Sequence, residues 1–156
     1  KPRVQKCRLV QPRAARRQDQ HFGGFNHFFF TVVLESFEHM GEGKTVYEGL
    51  VNKFHYIQQE KLFFKAAFKN DDQNCLRDHD FQLICAFYTE QLETRMACRL
   101  SRQLQFQLEM YCQGSIYMTV QWVLGYRKCS AEELAHALAS AMPEELQTVF
   151  HKYGLV

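Results

Sequence analysis

The sequence predicts an all-α protein, an antiparallel bundle of six to seven helices. Apolar residues recur at steps of three and four along most of the chain, and the strict alternation of a strand is nearly absent. Only 3 Pro and 8 Gly occur in 156 residues, and helix formers dominate the rest. Composition supplies the interior: 14 Phe and 7 Tyr can build a core or an aromatic-lined cavity. A chain of this length buries roughly two thirds of its unfolded surface without outside help.

Residues 1–20, "KPRVQKCRLVQPRAARRQDQ", have no strong apolar face, with room for one short helix around Gln5 to Val10. Gly23 and Gly24 mark a break. From Phe25 to about Met40, Phe28, Phe29, Val32, Val33 and Phe37 recur at helical spacing, and "GEGK" (Gly41–Lys44) ends that helix. A second helix runs from about Thr45 to Gln58, with Val46, Leu50, Val51, Phe54 and Ile57 on one face. "EKLFFKAAFK" (Glu60–Lys69) is a third, burying some combination of Phe63, Phe64, Ala67 and Phe68.

After the turn-forming "NDDQN", a long helix spans about Asn74 to Arg99 on a stripe of Phe81, Ile84, Cys85, Tyr88, Leu92 and Met96. Ser101 caps the next helix, which runs to Leu124 and stops at Gly125. "SAEE" is a capping box, with Ser130 at the cap and Glu133 reaching back, ahead of Leu134, Ala137, Leu138 and Ala141. Pro143 suits the first position of a last helix, where Glu144 and Glu145 complement the dipole.

The net charge of +2 conceals an asymmetry. Residues 1–20 carry seven basic side chains (Lys1, Arg3, Lys6, Arg8, Arg13, Arg16, Arg17) against Asp19 alone; the remainder carries 12 basic and 16 acidic ones. Such a head fits a polyanion at one end, or a solvated basic tail. The six cysteines show no CxxC or Cys/His zinc spacing, and Cys85 and Cys112 sit in apolar helical patterns as small hydrophobes. With no signal peptide and no apolar run of about 18 residues, the expectation is a reduced, cytoplasmic, soluble protein with no membrane contact.

The helix from Ser101 to Leu124 is apolar on two sides. Leu104, Leu108, Tyr111, Ser115, Met118 and Trp122 form one face, and Cys112, Ile116, Val120 and Val123 a second. A helix of that kind is sandwiched between neighbours. Gly114 costs about 1 kcal/mol relative to alanine in a helix interior. With Ser115 it permits close approach of another backbone, from a second subunit or from within the chain; a kink is the third reading.

"YCQGSIYMTVQWVLGYRKCSAEELAHALASAMPEEL" resembles the C-terminal region of TetR-family transcriptional regulators, and among them the branch that includes regulators of dihydroxyacetone kinase operons. That branch shows a small-residue helix ending in Trp, a short basic link, then "S-x-E-E-L-A". Here these are Gly114, Trp122, Tyr126–Lys128 and Ser130–Ala135. "EKLFFKAAFKNDDQNCLRDHDFQLICAFYTEQLE" is similar to its pattern of an aromatic pair, a short helix, a polar turn and a long helix, so the resemblance covers about Phe25 to Leu146.

The resemblance implies a helical domain over 25–156 that binds a small-molecule effector between its central helices. It also implies a homodimer formed through the last long helices, packed as a four-helix bundle with the partner's. Gly114 would then lie at the two-fold axis with Ser115, and Met118, Trp122, Leu134 and Leu138 are the further dimer candidates. For the effector, polar groups on apolar stripes are the candidates: His55, Tyr88, Gln91 and Tyr111. Phe54, Phe64, Phe81 and Met118 would form the walls, as in apolar pockets with a few orienting polar groups. Tyr88 and Tyr111 also fit as plain core aromatics.

The same resemblance implies DNA as a partner, read by a helix-turn-helix. "QHFGGFNHFF" is similar to the family's junction, where Tyr-x-His-Phe closes the recognition helix; His21 and Phe22 match, with Asp19 in place of the tyrosine. Upstream, spaced Ala, Gly and Thr are missing and Pro12 interrupts a helix. Residues 1–24 are therefore expected to be a basic remnant or degenerate end of a DNA-binding domain, through truncation, degeneration or a reading-frame error, with Arg13, Arg16, Arg17 and His21 as its DNA contacts.

Two other classes stand beside this. An enzyme is disfavoured: there is no HExxH, GxSxG or phosphate-binding glycine loop, and the seven histidines are scattered. "RDHD" offers His79 and Asp80 to a metal or acid–base site, against the simpler reading of a solvated helix face. No catalytic residue, metal ligand or cofactor is expected. The alternative to a sensor is an all-α homodimeric interaction module without ligand or DNA function.

Overall fold

The computed structural model describes residues 25–70 and 76–155. Among the described residues there are seven helices and no strand, so the expected all-α bundle is the observed architecture. In chain order they are α1 (Phe25–Gly41), α2 (Val46–Gln59), α3 (Lys61–Lys69), α4 (Leu76–Met96), α5 (Arg102–Val123), α6 (Ala131–Ser140) and α7 (Glu144–Lys152). The chain divides into two compact units, residues 1–32 and 33–156. The described part of the first is the N-terminal half of α1; the second holds the rest of α1 and all of α2 to α7. Cys7, Cys75 and the side chains of Phe28 and Phe29 lie outside the described residues.

In the second unit α1 buries Val33, Ser36, Phe37 and Met40, the three-and-four spacing of one face. Ser36 satisfies its buried hydroxyl by donating to the Val33 carbonyl at 2.6 Å. The corner into α2 is tight. A Cβ on Gly43 would lie 2.3 Å from the Gly49 amide nitrogen, and one on Gly49 would lie 2.7 Å from the Met40 carbonyl oxygen. These two glycines let α1 and α2 close on each other.

Thr45 caps α2 by accepting from the Glu48 amide, and Glu48 accepts from the Lys44 amide in return. The expected Val46, Leu50, Phe54 and Ile57 face inward; Val51 is half-exposed, and Lys53 takes an inward place. α3 begins after Glu60 alone and buries Phe64, Ala67 and Phe68.

α4 buries Leu76, Asp80, Ile84, Tyr88 and Leu92, a row at steps of four, with Phe81, Cys85 and Met96, all half-buried, beside it. It stops at Met96, short of the expected Arg99, because Ala97 adopts φ +53°. The Leu100 amide then donates to the Glu93 carboxylate at 3.1 Å.

Ser101 caps α5, as expected, by accepting from the Leu104 amide. Gly125 ends it at φ +85°, with the Tyr126 amide reaching back to the Gln121 carbonyl, the glycine C-terminus expected there. Ser130 and Glu133 complete the capping box of α6. Pro143 is the cap residue of α7, one place before the first-turn position the sequence suggested.

α2 packs along α6, and α4 along α5; α3 touches α2, α4 and α5, and α7 lies on α5. The core centres on Phe54, Leu50, Ile57, Leu92, Leu108 and Phe150. The tail closes it: Leu155 is buried, and its carbonyl accepts the first amide of α2, from Val46, at 2.7 Å.

Candidate functional site

Two charged side chains stand in this apolar interior. Lys53 on α2 is 3% exposed and Asp80 on α4 is 5% exposed, and Lys53 Nζ donates to Asp80 Oδ1 at 3.1 Å. Lys53 Nζ also lies 3.7 Å from the centre of the Phe37 ring on α1, a cation–π contact. Removing two charges from water is costly, and a bare ion pair repays that only with good geometry and further hydrogen bonds. An ammonium has three donors, and Lys53 directs one to Asp80 and faces the Phe37 ring. A charged pair in apolar surroundings is the kind of placed polar group that ligand sites use.

Sequence reasoning missed Lys53 and placed Asp80 differently. Arg77 and Asp78 are not buried, but Asp80 turns into the core, so "RDHD" is not a solvated face at that residue. The available signal was positional: Lys53 falls three residues after Leu50 and four before Ile57, and Asp80 falls four before Ile84. His79 has its imidazole pushed below the usual histidine range, chiefly by burial, with Asp80 opposing.

Two tyrosines, Tyr88 and Tyr111, are buried as well. Tyr111 donates to the Leu138 carbonyl at 3.0 Å, and the Tyr88 ring packs edge-on to Phe87 and Phe150. Burial raises both phenols above their ordinary range. Tyr56 is raised too, by burial and then by its 2.5 Å hydrogen bond to the Glu35 carboxylate. A cleft of about 100 Å³ opens beside Tyr88, lined also by Gln91 and Arg95 of α4, by Lys44 just before α2 and Gly49 in its first turn, and by Leu155. Arg95 donates to the Tyr153 carbonyl at 2.8 Å across its rim.

Of the eight residues expected to line an effector site, the structure brings Tyr88 and Gln91 together in this cleft. Phe54, Phe64 and Tyr111 are core residues, Phe81 lies beside the buried row of α4, and Met118 is half-buried. His55 is not interior. It is exposed and meets Glu132 of α6 at 2.6 Å, because its neighbours Lys53, Phe54 and Ile57 occupy the inward arc of α2. Glu132 is held below the ordinary carboxylate range first by a backbone amide at the start of α6 and then by His55.

Of the six residues expected at a subunit contact, Gly114 alone is exposed, with nothing within 4 Å of where its Cβ would be. Ser115 is buried and donates to the Tyr111 carbonyl at 2.8 Å. Leu134 and Leu138 are buried within one chain, on the helix that packs along α2. Trp122 donates its indole N–H to the Cys129 carbonyl at 2.9 Å and stacks at a tilt on Phe54; Met118 is half-buried. The inner arc of α5 is thus occupied by its own chain.

The outer arc of α5 carries apolar groups that periodicity did not single out: Phe106, Met110 and Tyr117, each more than 60% exposed, on the same side as Gly114. Arg13, Arg16, Arg17 and His21, expected to contact DNA, lie outside the described residues. Among the described residues no helix is long and apolar enough to cross a membrane, and no three His, Cys, Asp or Glu side chains are grouped to hold a metal ion.

No curated protein and no solved structure matches the chain. A family model does: residues 44–144, from the turn before α2 to the first residue of α7, match the C-terminal region of TetR-type transcriptional regulators. By fold and by that match, the chain belongs to the TetR family of transcriptional regulators and carries its C-terminal region.

Proposed function

We propose that this chain is the regulatory part of a homodimeric, cytoplasmic TetR-type regulator that senses a small molecule through the buried Lys53–Asp80 pair. That pair is the observation that carries the reading: a lysine ammonium, with three donors, set in an apolar core is a place for a ligand's acceptor. The cleft at Tyr88, Gln91 and Arg95 lies farther along the α4 that carries Asp80. DNA contact falls to residues 1–24, with Arg13, Arg16, Arg17 and His21.

The dimer face is the outer arc of α5. Phe106, Met110 and Tyr117 are apolar and exposed, and Gly114 supplies room for a second backbone between them. Met118 and Trp122, both half-buried, flank this arc; Ser115 lies buried on α5, and Leu134 and Leu138 are buried on α6.

The test is a thermal-shift screen against small carboxylates, phosphates and polyols. A ligand at about 100 times its Kd adds about 2.7 kcal/mol, roughly 8 °C in Tm for a chain of this size. The double variant Lys53→Met/Asp80→Leu keeps the packing and removes both charges, so it should retain the fold and lose the response. A response that survives in that variant refutes the site. A dimer that responds to none of these compounds favours the interaction module.

A further inference from the structure

The cleft beside Tyr88 is selective by charge. Lys44, just before α2, and Arg95, in the last turn of α4, both stand in its wall, and among the described residues no Asp or Glu does. Both cations are exposed residues, so they carry their charge at the mouth without the cost of burying it. Arg95 commits one guanidinium nitrogen to the Tyr153 carbonyl at 2.8 Å, which leaves most of its five N–H donors for a guest. The Val46 and Glu48 amides of α2 are already taken, by the Leu155 carbonyl and the Thr45 hydroxyl. A guest's negative charge is therefore met by the two side chains, with the positive end of the α2 dipole behind them.

The deeper wall is apolar. Met40 of α1, Val46 of α2, Tyr88 of α4 and Leu155 of the tail are all buried, and half-buried Phe87 joins them. Cations at the rim over an apolar floor suit a guest with an anionic head and a short hydrocarbon body, and repel an amine. Size narrows the class. About 100 Å³ is the room of roughly three waters at ~30 Å³ each, enough for a carboxylate on two or three further carbons and too little for a drug-sized molecule.

We propose that this cleft is a binding site for a short-chain monocarboxylate, its carboxylate held by Lys44 and Arg95 and its alkyl chain laid against Phe87, Tyr88 and Leu155. The carboxylate accepts from the guanidinium and the ammonium, charge-assisted bonds that are stronger than neutral ones. Neither Lys53 nor Asp80 lines the cleft, so this site and the buried pair stand or fall separately. Occupancy is felt at the entry of α2, because Leu155 lends its carbonyl to the Val46 amide at 2.7 Å.

The experiment titrates the isotope-labelled full chain with sodium butyrate at constant ionic strength and follows its backbone amides by NMR. Butyrate is small enough that a Kd on the order of 1 mM is expected. Saturable shifts should appear at Val46, Gly49, Arg95 and Leu155. Butylamine and butanol, which lack the negative charge, should bind at least about tenfold more weakly, and inorganic phosphate, which lacks the chain, should also bind more weakly. Lys44→Met/Arg95→Met should lose the saturable shifts. So should Gly41→Leu, which leaves both cations in place and adds a side chain whose Cβ would stand 3.8 Å from the Phe87 ring in the cleft wall. Lys53→Met/Asp80→Leu should bind butyrate as wild type does. Loss of binding in that variant, or retention in Lys44→Met/Arg95→Met, overturns the site. Butanol or phosphate binding as tightly as butyrate, or shifts that grow without saturating, overturns it as well. Amide dispersion checks the fold of each variant, and the ligand series on the wild-type chain decides the matter if a variant fails to fold.

Discussion

Truncating Asp80 to alanine strands an ammonium in the core. In the wild-type chain the two charges are 3.1 Å apart, with side chains 4% and 8% exposed. At an effective dielectric near 20 their attraction is about 5 kcal/mol, set against a desolvation cost of several kcal/mol per ion. Asp80→Ala removes the first term and leaves the lysine's part of the second, so a loss of about 3–5 kcal/mol is expected. Lys53→Met should cost a similar amount by stranding the carboxylate, and it also forfeits the contact with Phe37, worth up to ~2 kcal/mol when desolvated. The double variant Lys53→Met/Asp80→Leu should fall far short of the sum, within about 1–2 kcal/mol of wild type, because it strands no charge. Urea unfolding followed by circular dichroism at fixed protomer concentration measures all four corners of the cycle. Single variants costing under about 1 kcal/mol, or strict additivity in the double, would refute a desolvated, coupled pair.

Gly114→Ala should favour the isolated helix by about 1 kcal/mol, since its Cβ meets nothing within 4 Å in one chain, yet weaken self-association read by sedimentation equilibrium. An unchanged dimer constant would refute a second backbone at that position. Ala97→Gly should raise Tm, because φ +53° costs a side chain about 1–2 kcal/mol and glycine's extra unfolded-state freedom offsets only part of that. A lower Tm refutes that strain. Tyr56, Tyr88 and Tyr111 all have raised folded-state values, so their contribution is full below about pH 10, where free tyrosine begins to ionise, and is lost as pH climbs toward the folded values. Absorbance at ~295 nm should show Tyr88 and Tyr111 ionising only with unfolding; earlier titration of all seven tyrosines refutes the burial of these two.

Local chemistry was easiest to read from sequence. Ser101, Ser130 with Glu133, and Gly125 signal helix ends through bonds made within a few residues, and each makes the bonds expected of it. The end of α4 was illegible because alanine gives no warning of a left-handed φ; just past the stop, the Leu100 amide bonds back to the Glu93 carboxylate. Lys53 and Asp80 were hidden for another reason. Each is an ordinary surface residue type, and the burial of either makes sense only with the other opposite it on a different helix. The faces of α5 show the same limit. Periodicity found an apolar arc and could not say that one chain fills it, leaving Phe106, Met110 and Tyr117 on the far side.

The bond between Val46 and Leu155 joins the entry of α2 to the tail behind α7, and both residues belong to the wall of the Tyr88 cleft. A molecule wedged there would act as a lever on a single hinge pin. Prising Leu155 away would release the first amide of α2, seven residues before Lys53, and so loosen the helix that holds half of the buried pair. Through that one carbonyl, the segment after α7 is fastened to the helix that carries Lys53.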